Sequence, residues 1–169
     1  MAETFSPSFL PQAKAARYRE LSAEIAAVVA GEPDRVARMA SVAAMLAASF
    51  EHFFWTGFYQ VDTTRKGELV VGPYQGTLGC LRIAFGRGVC GAAAEKRETV
   101  IVEDVDAFPG HIACDSRSRS EIVVPVFDPE GVLIAVLDVD STDYTAFDAQ
   151  DAAALEQIVN QTFSVNSGS

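Results

Sequence analysis

The β-strand signals of this chain are concentrated in its middle, and its long helical patterns lie at the two ends. Four runs rich in β-branched and aromatic residues, FFWTGFYQV, ELVVGPY, EIVVPVFD and VLIAVLDVDS, all lie between residues 53 and 141. Short polar turns join the first two runs and the last two, as in β-hairpins. Because strands do not alternate with long helices, no parallel βαβ sheet is expected. The order predicts the α+β class, with a central antiparallel sheet flanked by N- and C-terminal helices.

At 169 residues, the chain has the length of one domain, which we assign to residues 1–169. A tail at 1–12 precedes two helices within 13–51, and the sheet, its functional loops and a C-terminal helix fill 52–163. The first helix presents apolar residues at helical spacing, and the second does the same with several alanines that allow close packing. The predicted inward positions are Tyr18, Leu21, Ile25 and Val28, then Val36, Met39, Ala40, Ala43, Ala47 and Phe50.

Between the two hairpins the signals are shorter. A strand is expected near residues 81–85, a short helix in GVCGAAAEKRE, and a strand at 99–102. Residues 104–119 are expected to form a long polar loop or a short helix between loops, and a loop of that length in a compact domain is usually functional. The last helix is predicted to begin at Thr145, because Thr145 and Asp148 have the spacing of a capping box.

Charge and composition limit the class of partner. The net charge is −10 and the sequence pI is near 4.5, so nucleic acid and anionic membranes would be repelled. No run approaches the roughly 18 apolar residues of a membrane span, and the N-terminus lacks the pattern of a signal peptide. Three cysteines do not suggest a secreted disulfide framework. We therefore predict a cytoplasmic protein that binds a small molecule or a protein partner.

The chemistry is concentrated in the stretch from Gly110 to Glu121. This stretch holds His111 and Cys114, followed by acids and arginines in CDSRSRSE. Reactive thiols are found in such charged, irregular surroundings, whereas packing cysteines rarely are. The other two cysteines, Cys80 and Cys90, lie in the glycine-rich segments GTLGC and GRGVCG. The three cysteines together are the predicted working centre.

A glycine motif in the same region points to nucleotide binding, but its context does not. Gly86, Gly88 and Gly91 match the dinucleotide fingerprint GxGxxG. That fingerprint should open a parallel βαβ unit with an acid about 20 residues further on. Here it follows several strands, and Glu103 and Asp104 come too soon. Nucleotide binding is therefore not expected.

Six motifs resemble one known family: WTGFY, GPYQG, GRGVCG, EDV, GHIACDSRSRSEIVVP and AVLDVDS. Together with the order of the elements, they resemble the free methionine-(R)-sulfoxide reductases, which have the GAF fold. The resemblance implies that Cys114 attacks the sulfoxide sulfur and becomes a sulfenic acid. It further implies that Cys80 then forms a disulfide with Cys114, that thioredoxin reduces it, and that Cys90 can be a third participant. It implies a homodimer that needs no cofactor and no metal.

The acids have a chemical role in such a reaction. A thiolate attacking a sulfoxide needs the departing oxygen to be protonated, so a carboxylic acid must hold its proton near neutral pH. Asp138 and Asp140 share one face of a strand, and if Glu121 converges with them the crowded carboxyls raise each other's pKa. Their remaining charge would pair with the ammonium of a free amino acid. Trp55 and Tyr59, four residues apart on one strand face, resemble the family's pocket for the sulfoxide methyl group.

Other interpretations of the same residues stay open. Trp55 and Tyr59 could be ordinary core packing, and Cys90 could be a small buried hydrophobic residue. A non-catalytic GAF sensor of small molecules is one alternative function. A Cys₃His zinc site formed by the three cysteines and His111 is another, although none of these cysteines forms a short C-x₂-C pair.

Overall fold

The computed structural model describes residues 10–166, and they form four α-helices around a six-stranded sheet. This arrangement confirms the predicted α+β class. In chain order the elements are α1 (Leu10–Val29), α2 (Arg35–Ser49), β1 (Trp55–Val61), β2 (Glu68–Gln75), β3 (Arg82–Ala84), α3 (Gly88–Lys96), β4 (Val100–Val102), β5 (Ser120–Phe127), β6 (Leu133–Ser141) and α4 (Ala149–Phe163). A short 3-10 turn at Val105–Ala107 interrupts the long loop between β4 and β5.

The strands are arranged in the order β3-β2-β1-β6-β5-β4, and each neighbouring pair is antiparallel. The two predicted hairpins, β1–β2 and β5–β6, are therefore present. They meet at the centre of the sheet, where β1 pairs with β6. This pairing brings the aromatic start of β1 beside the acidic end of β6, with Trp55 opposite Asp140 and Gly57 opposite Asp138.

One face of the sheet carries a largely apolar core under α1, α2 and α4. On β6, Leu137 and Val139 belong to this core, whereas Asp138 and Asp140 line a cavity on the opposite face. The alternation follows from the period of two along a strand. The helices contribute to the same core with Leu21, Ile25, Met39, Val42, Leu46, Leu155 and Ile158, all fully buried.

Three details of the helices differ from the prediction. Helix α1 begins at Leu10, so the predicted tail at 1–12 overlaps its first turn, and residues 1–9 lie outside the described part of the chain. The predicted inward residues Val28, Val36 and Ala40 are exposed, because they lie on the solvent side of their helices.

The third difference concerns α4, which begins at Ala149 and not at Thr145. Thr145 has a left-handed backbone (φ +53°), a conformation that does not precede a helix as an N-cap. The capping box is present but is formed one turn later by Asp148 and Asp151, each side chain accepting a hydrogen bond from the other's backbone N–H.

Within residues 10–166, no helix has the length and hydropathy that a membrane span requires.

Candidate active site

A cavity opens on the face of the sheet opposite α1, α2 and α4, covered by α3 and by two loops. The loops are the segment from Thr77 to Leu81 and the segment from His111 to Ser118. All eight predicted site residues except Cys80 line this cavity, and Cys80 is bonded to one of them. The lining consists of Trp55, Tyr59, Leu78, Ile83, Arg87, Gly88, Val89, Cys90, His111, Ile112, Ala113, Cys114, Asp115, Ser118, Glu121, Asp138 and Asp140.

Cys80 and Cys114 form a disulfide that joins the two loops at the mouth of the cavity. Their Cα atoms are 5.5 Å apart, within the usual range for a disulfide, although 34 positions separate them in sequence. This is the pair that the resemblance implies. Cys114 is exposed and Cys80 is half-buried, so the bond lies at the protein surface. The third cysteine, Cys90, is a free thiol buried in α3.

The predicted convergence of the acids is present at the floor of the cavity. Antiparallel pairing of β5 with β6 places Glu121 opposite Asp140, and Asp138 two residues away faces the same side. Glu121 and Asp138 are 5% and 4% exposed, and Asp140 is half-buried. Among the described residues, Asp138 Oδ1 accepts no hydrogen bond, although it is fully enclosed.

Burial without a cation partner keeps these carboxyls protonated. Burial, and then the charge of Asp140, raise the pKa of Glu121 to about 8. Burial, the charge of Glu121 and a hydrogen bond to Glu121 raise the pKa of Asp138 well above its usual range. Burial, followed by the charges of Asp138 and Asp115, does the same for the pKa of Asp140. The floor of the cavity therefore carries carboxylic acids that hold protons at neutral pH.

Cys90 on α3 and His111 on the loop between β4 and β5 both contact the acid cluster. The Cys90 thiol donates to Glu121 Oε1 at 3.9 Å, and burial together with the neighbouring carboxyls raises the pKa of that thiol. His111 Nε2 lies 3.4 Å from Glu121 Oε2, and burial lowers the pKa of the imidazole. Neither group supplies a permanent charge to the cavity, so the acid cluster is not neutralised by a fixed cation.

An aromatic wall forms one side of the cavity. The rings of Trp55 and Tyr59 stack with centroids 5.5 Å apart, and Tyr74 stacks on the other side of Trp55 at 5.0 Å. Trp55 Nε1 donates to the carbonyl of Thr77 at 2.8 Å, which satisfies its polar group. The predicted shared face is present, and the same residues are also part of a buried apolar cluster, as the packing interpretation expected.

Three glycines leave space for the indole ring of this wall. A Cβ atom on Gly57, Gly76 or Gly79 would lie 2.9 Å from a carbon of the Trp55 ring. A side chain at any of these positions would therefore displace the ring, so the wall depends on backbone that approaches it closely.

The charged residues after Cys114 are held by local partners. Arg117 forms an ion pair with Asp115 at 2.8 Å, and Thr77 Oγ1 donates to the same carboxylate at 2.9 Å. The hydrogen bonds from Arg117 lower the pKa of Asp115 far below its usual range. Arg119 donates to backbone carbonyls of its own loop. Asp115 thus fastens the two loops beside the disulfide, a role that the sequence did not indicate.

Arg87 is a second residue that the sequence analysis missed. It lies directly before α3, is exposed, and is the only lysine or arginine lining the cavity in the described part of the chain. The segment GRGVCG indicates only a glycine motif with a cysteine. The sequence shows that Arg87 comes immediately before the Cys90 helix, but not that it lines the cavity.

The donor atoms determine which metal sites are feasible. The alternative Cys₃His site would need the sulfurs of Cys80 and Cys114 as thiolates, but in this structure they are bonded to each other. Another set, Cys90, Glu121 and Asp138, has donor atoms within 4.8 Å of one another. Its carboxyls hold protons at neutral pH, which disfavours metal binding.

Comparisons with known proteins show the family of the chain. The chain matches the family model described as GAF domain over residues 19–163. It is 48% identical to GAF domain-containing protein A of Dictyostelium discoideum over 86% of this chain and 90% of the relative. It is 41% identical to the free methionine-R-sulfoxide reductase of Escherichia coli over 85% of each chain.

A solved structure gives the same result in three dimensions. The free methionine-R-sulfoxide reductase from Neisseria meningitidis, determined in complex with its substrate, superposes with a TM-score of 0.84 at 54% sequence identity. The superposition covers 88% of this chain and 87% of that one. The chain therefore belongs to the GAF domain family and, within it, to the free methionine-R-sulfoxide reductases.

Proposed function

We propose that this protein reduces free L-methionine-(R)-sulfoxide to L-methionine by a thiol mechanism in which Cys114 is the nucleophile. The observation that carries the proposal is a Cys80–Cys114 disulfide at the mouth of a cavity whose floor is made of protonated carboxyls. A disulfide at that place is the product expected after one turnover. The reductases of Escherichia coli and Neisseria meningitidis support the substrate.

The reaction has three steps. The Cys114 thiolate attacks the sulfoxide sulfur, and the oxygen passes to Cys114 as a sulfenic acid while methionine leaves. The Cys80 thiol then attacks the sulfenic sulfur, which releases water and forms the disulfide. A reduced dithiol finally returns two electrons and two protons, which restores both thiols.

Glu121 and Asp138 supply the proton that the first step needs. A thiolate displaces the oxygen only when that oxygen is protonated or strongly hydrogen-bonded, and these two buried carboxyls hold protons near neutral pH. Asp140 is less enclosed, and an incoming ammonium would favour its charged form. We therefore propose that Glu121 and Asp138 supply the proton and that Asp140 pairs with the substrate ammonium.

The remaining groups of the substrate match the other walls. The sulfoxide methyl would contact the stacked rings of Trp55 and Tyr59, which are apolar and rigidly held. The α-carboxylate would face Arg87, because His111 is neutral and the rest of the lining is acidic or uncharged. A peptide-bound methionine lacks both end charges, so the site is suited to the free amino acid.

The source of electrons belongs to the same proposal. Thioredoxin is the proposed reductant, and no cofactor is needed because all redox steps occur on sulfur. A disulfide that must be reduced in every cycle suits a reducing compartment such as the cytoplasm. The homodimer implied by the family resemblance stays a prediction, which measurement of the solution mass would test.

The experiment is a single turnover without a recycling reductant. Fully reduced protein mixed with free L-methionine-(R)-sulfoxide should release methionine rapidly, at about one equivalent per site. Cys114→Ser should release none. Cys80→Ser should release one equivalent. When thioredoxin is then added, Cys80→Ser should stall, whereas Cys90→Ser should continue to turn over.

Two outcomes would contradict this scheme. A stoichiometric release of methionine by Cys114→Ser would remove the assignment of the nucleophile. Binding of the sulfoxide by the wild-type protein without any release of methionine would favour the alternative, a GAF sensor that uses the same cavity.

A further inference from the structure

We propose that Leu78, Leu81 and Ile112 form an apolar docking surface for the protein dithiol that reduces the Cys80–Cys114 disulfide. The proposal rests on the proposed function only in requiring that this disulfide be reduced during the protein's activity. We call these three side chains the disulfide patch.

Two of the three patch residues are the most exposed large hydrophobic side chains between residues 12 and 166. Leu78 is 79% exposed and Leu81 is 73% exposed. Both lie within two positions of Cys80, and Ile112, 40% exposed, lies two positions before Cys114. Single exposed leucines are common, but here three exposed aliphatic side chains lie within two positions of the two bonded cysteines.

The chemistry of reduction requires a partner at this place. A partner thiolate must attack one sulfur of the disulfide, which forms a mixed disulfide and releases the other cysteine as a thiolate. A second partner thiol then attacks the mixed disulfide, so that the partner becomes oxidised and both cysteines of this chain become thiols. Each attack brings two sulfurs to bonding distance, so the partner's surface must cover the residues beside Cys80 and Cys114.

The patch is held in place before any partner arrives. The backbone N–H of Val71 on β2 donates to the carbonyl of Leu81 at 2.9 Å, which fixes Leu81 at the edge of the sheet. The hydrogen bond from Thr77 to Asp115 joins the loops that carry Leu78 and Ile112. A preformed apolar surface loses little conformational entropy on binding. We therefore expect the partner to be a dithiol protein with an apolar rim around its reactive cysteine.

The test uses oxidised protein and needs no sulfoxide. Reduced thioredoxin is mixed with the oxidised chain, and the second-order rate constant for reduction of Cys80–Cys114 is measured by thiol titration of quenched samples. Leu81 is the residue to change, because it belongs to the patch but does not line the cavity. Loss of a buried leucine contact predicts a rate constant about 10- to 100-fold lower for Leu81→Ser.

Two controls separate docking from reactivity. Dithiothreitol is too small to contact the patch, so its rate constant should be the same for Leu81→Ser and for the wild type. Val132→Ser removes a side chain that is 55% exposed in the turn between β5 and β6, at the opposite end of β6 from Asp140. It should leave the rate constants for both reductants unchanged.

Three results would overturn the proposal. Equal rate constants for thioredoxin with Leu81→Ser and wild type would place docking elsewhere. Equal losses with thioredoxin and dithiothreitol would mean that Leu81 acts on the disulfide itself. Dissociation of a wild-type dimer by Leu81→Ser would assign the patch to a second copy of this chain. None of these depends on sulfoxide reduction, so failure of the proposed function, no methionine from the wild type, is a separate result.

Discussion

Two buried carboxylate sites in this protein differ in how their charge is neutralised. Between α1 and α4, the fully buried Asp151 accepts hydrogen bonds from Lys14 Nζ and Tyr18 Oη, both at 2.6 Å, and from the backbone of Asp148. In the cavity, Glu121 and Asp138 face each other and a thiol, without a lysine or arginine partner among the described residues. The first site is neutralised by a cation, and the second by its own protons.

The difference separates stability from chemistry. A paired buried charge contributes to folding only while both partners remain, because removing one leaves the other charge uncompensated. An unpaired buried acid with a raised pKa lowers stability near neutral pH, but it holds a proton where the proposed reaction needs one. We therefore expect substitutions at the two sites to have opposite effects on activity and on stability.

The largest effect is expected from Glu121→Gln, which keeps the shape of the side chain and removes its acid. If Glu121 protonates the sulfoxide oxygen, kcat should fall about 10²- to 10⁴-fold in steady-state assays with thioredoxin. The melting temperature should stay the same or rise, because a buried ionisable group is replaced by a neutral one. An increase in KM with unchanged kcat would instead assign Glu121 to binding the ammonium.

Asp151→Ala should produce the opposite pattern. The change leaves Lys14 without its closest partner and removes one half of the α4 capping box, so the free energy of unfolding should fall by about 3 to 5 kcal/mol. Chemical denaturation measures this loss, and kcat per folded molecule should not change. Glu24→Gln on the exposed side of α1 is the matched control and should cost less than about 1 kcal/mol.

The pH dependence of stability is the third way to distinguish the sites. Glu121 has a folded pKa of about 8 against an ordinary value of 4.5, so below pH 4.5 both folded and unfolded chains hold the proton. Between those values only the folded chain holds it, and stability should fall as pH rises, by at most about 1.4 kcal/mol per unit. Glu121→Gln should flatten this slope in denaturation curves taken from pH 5 to 8. An unchanged slope would show that Glu121 is ionised in the folded protein.

The smallest effect is expected at the exposed rim of the cavity. Arg87→Met should raise KM for the free sulfoxide about tenfold with little change in kcat, the cost of one solvent-accessible charge pair. The methyl ester of the substrate lacks the carboxylate charge, so wild type and Arg87→Met should use it equally well.

N-acetyl-methionine sulfoxide tests recognition of the amino end of the substrate, where removal of the ammonium should lower kcat/KM. Equal kcat/KM for the acetylated and free substrates would remove the predicted specificity for the free amino acid.

Much of the fold could be predicted from the sequence, because local patterns determine it. Alternation in VLDVDS indicated that Asp138 and Asp140 share a face, and the four-residue spacing indicated the same for Trp55 and Tyr59. The predictions of buried helix residues were wrong where more than one face of the helix is apolar. Val28 and Val36 fit the helical period as well as the buried positions do, and only the packing of α1 and α2 against the sheet decides between them.

The site was less predictable where it depends on long-range placement. The family motifs predicted which cysteines and acids belong to the site, but they did not predict the contacts between helices, strands and loops. The contact of Cys90 with Glu121 requires α3 to lie across β5, and the link from Thr77 to Asp115 joins loops 38 positions apart. Arg87 and the disulfide patch are visible only once the cavity and the exposed surface around it are known.

In the proposed cycle, the Cys80–Cys114 bond makes the stability of the protein depend on its redox state. In the chain-entropy account, a cross-link spanning 34 positions stabilises the folded state by about 3 to 4 kcal/mol, and reduction removes this contribution. Each catalytic cycle would then pass through a less stable dithiol form and a more stable disulfide form. When sulfoxide is abundant and reductant is scarce, molecules accumulate in the form that resists unfolding and proteolysis. Under oxidising conditions, the disulfide form would thereby slow the loss of folded enzyme until a reductant is available again.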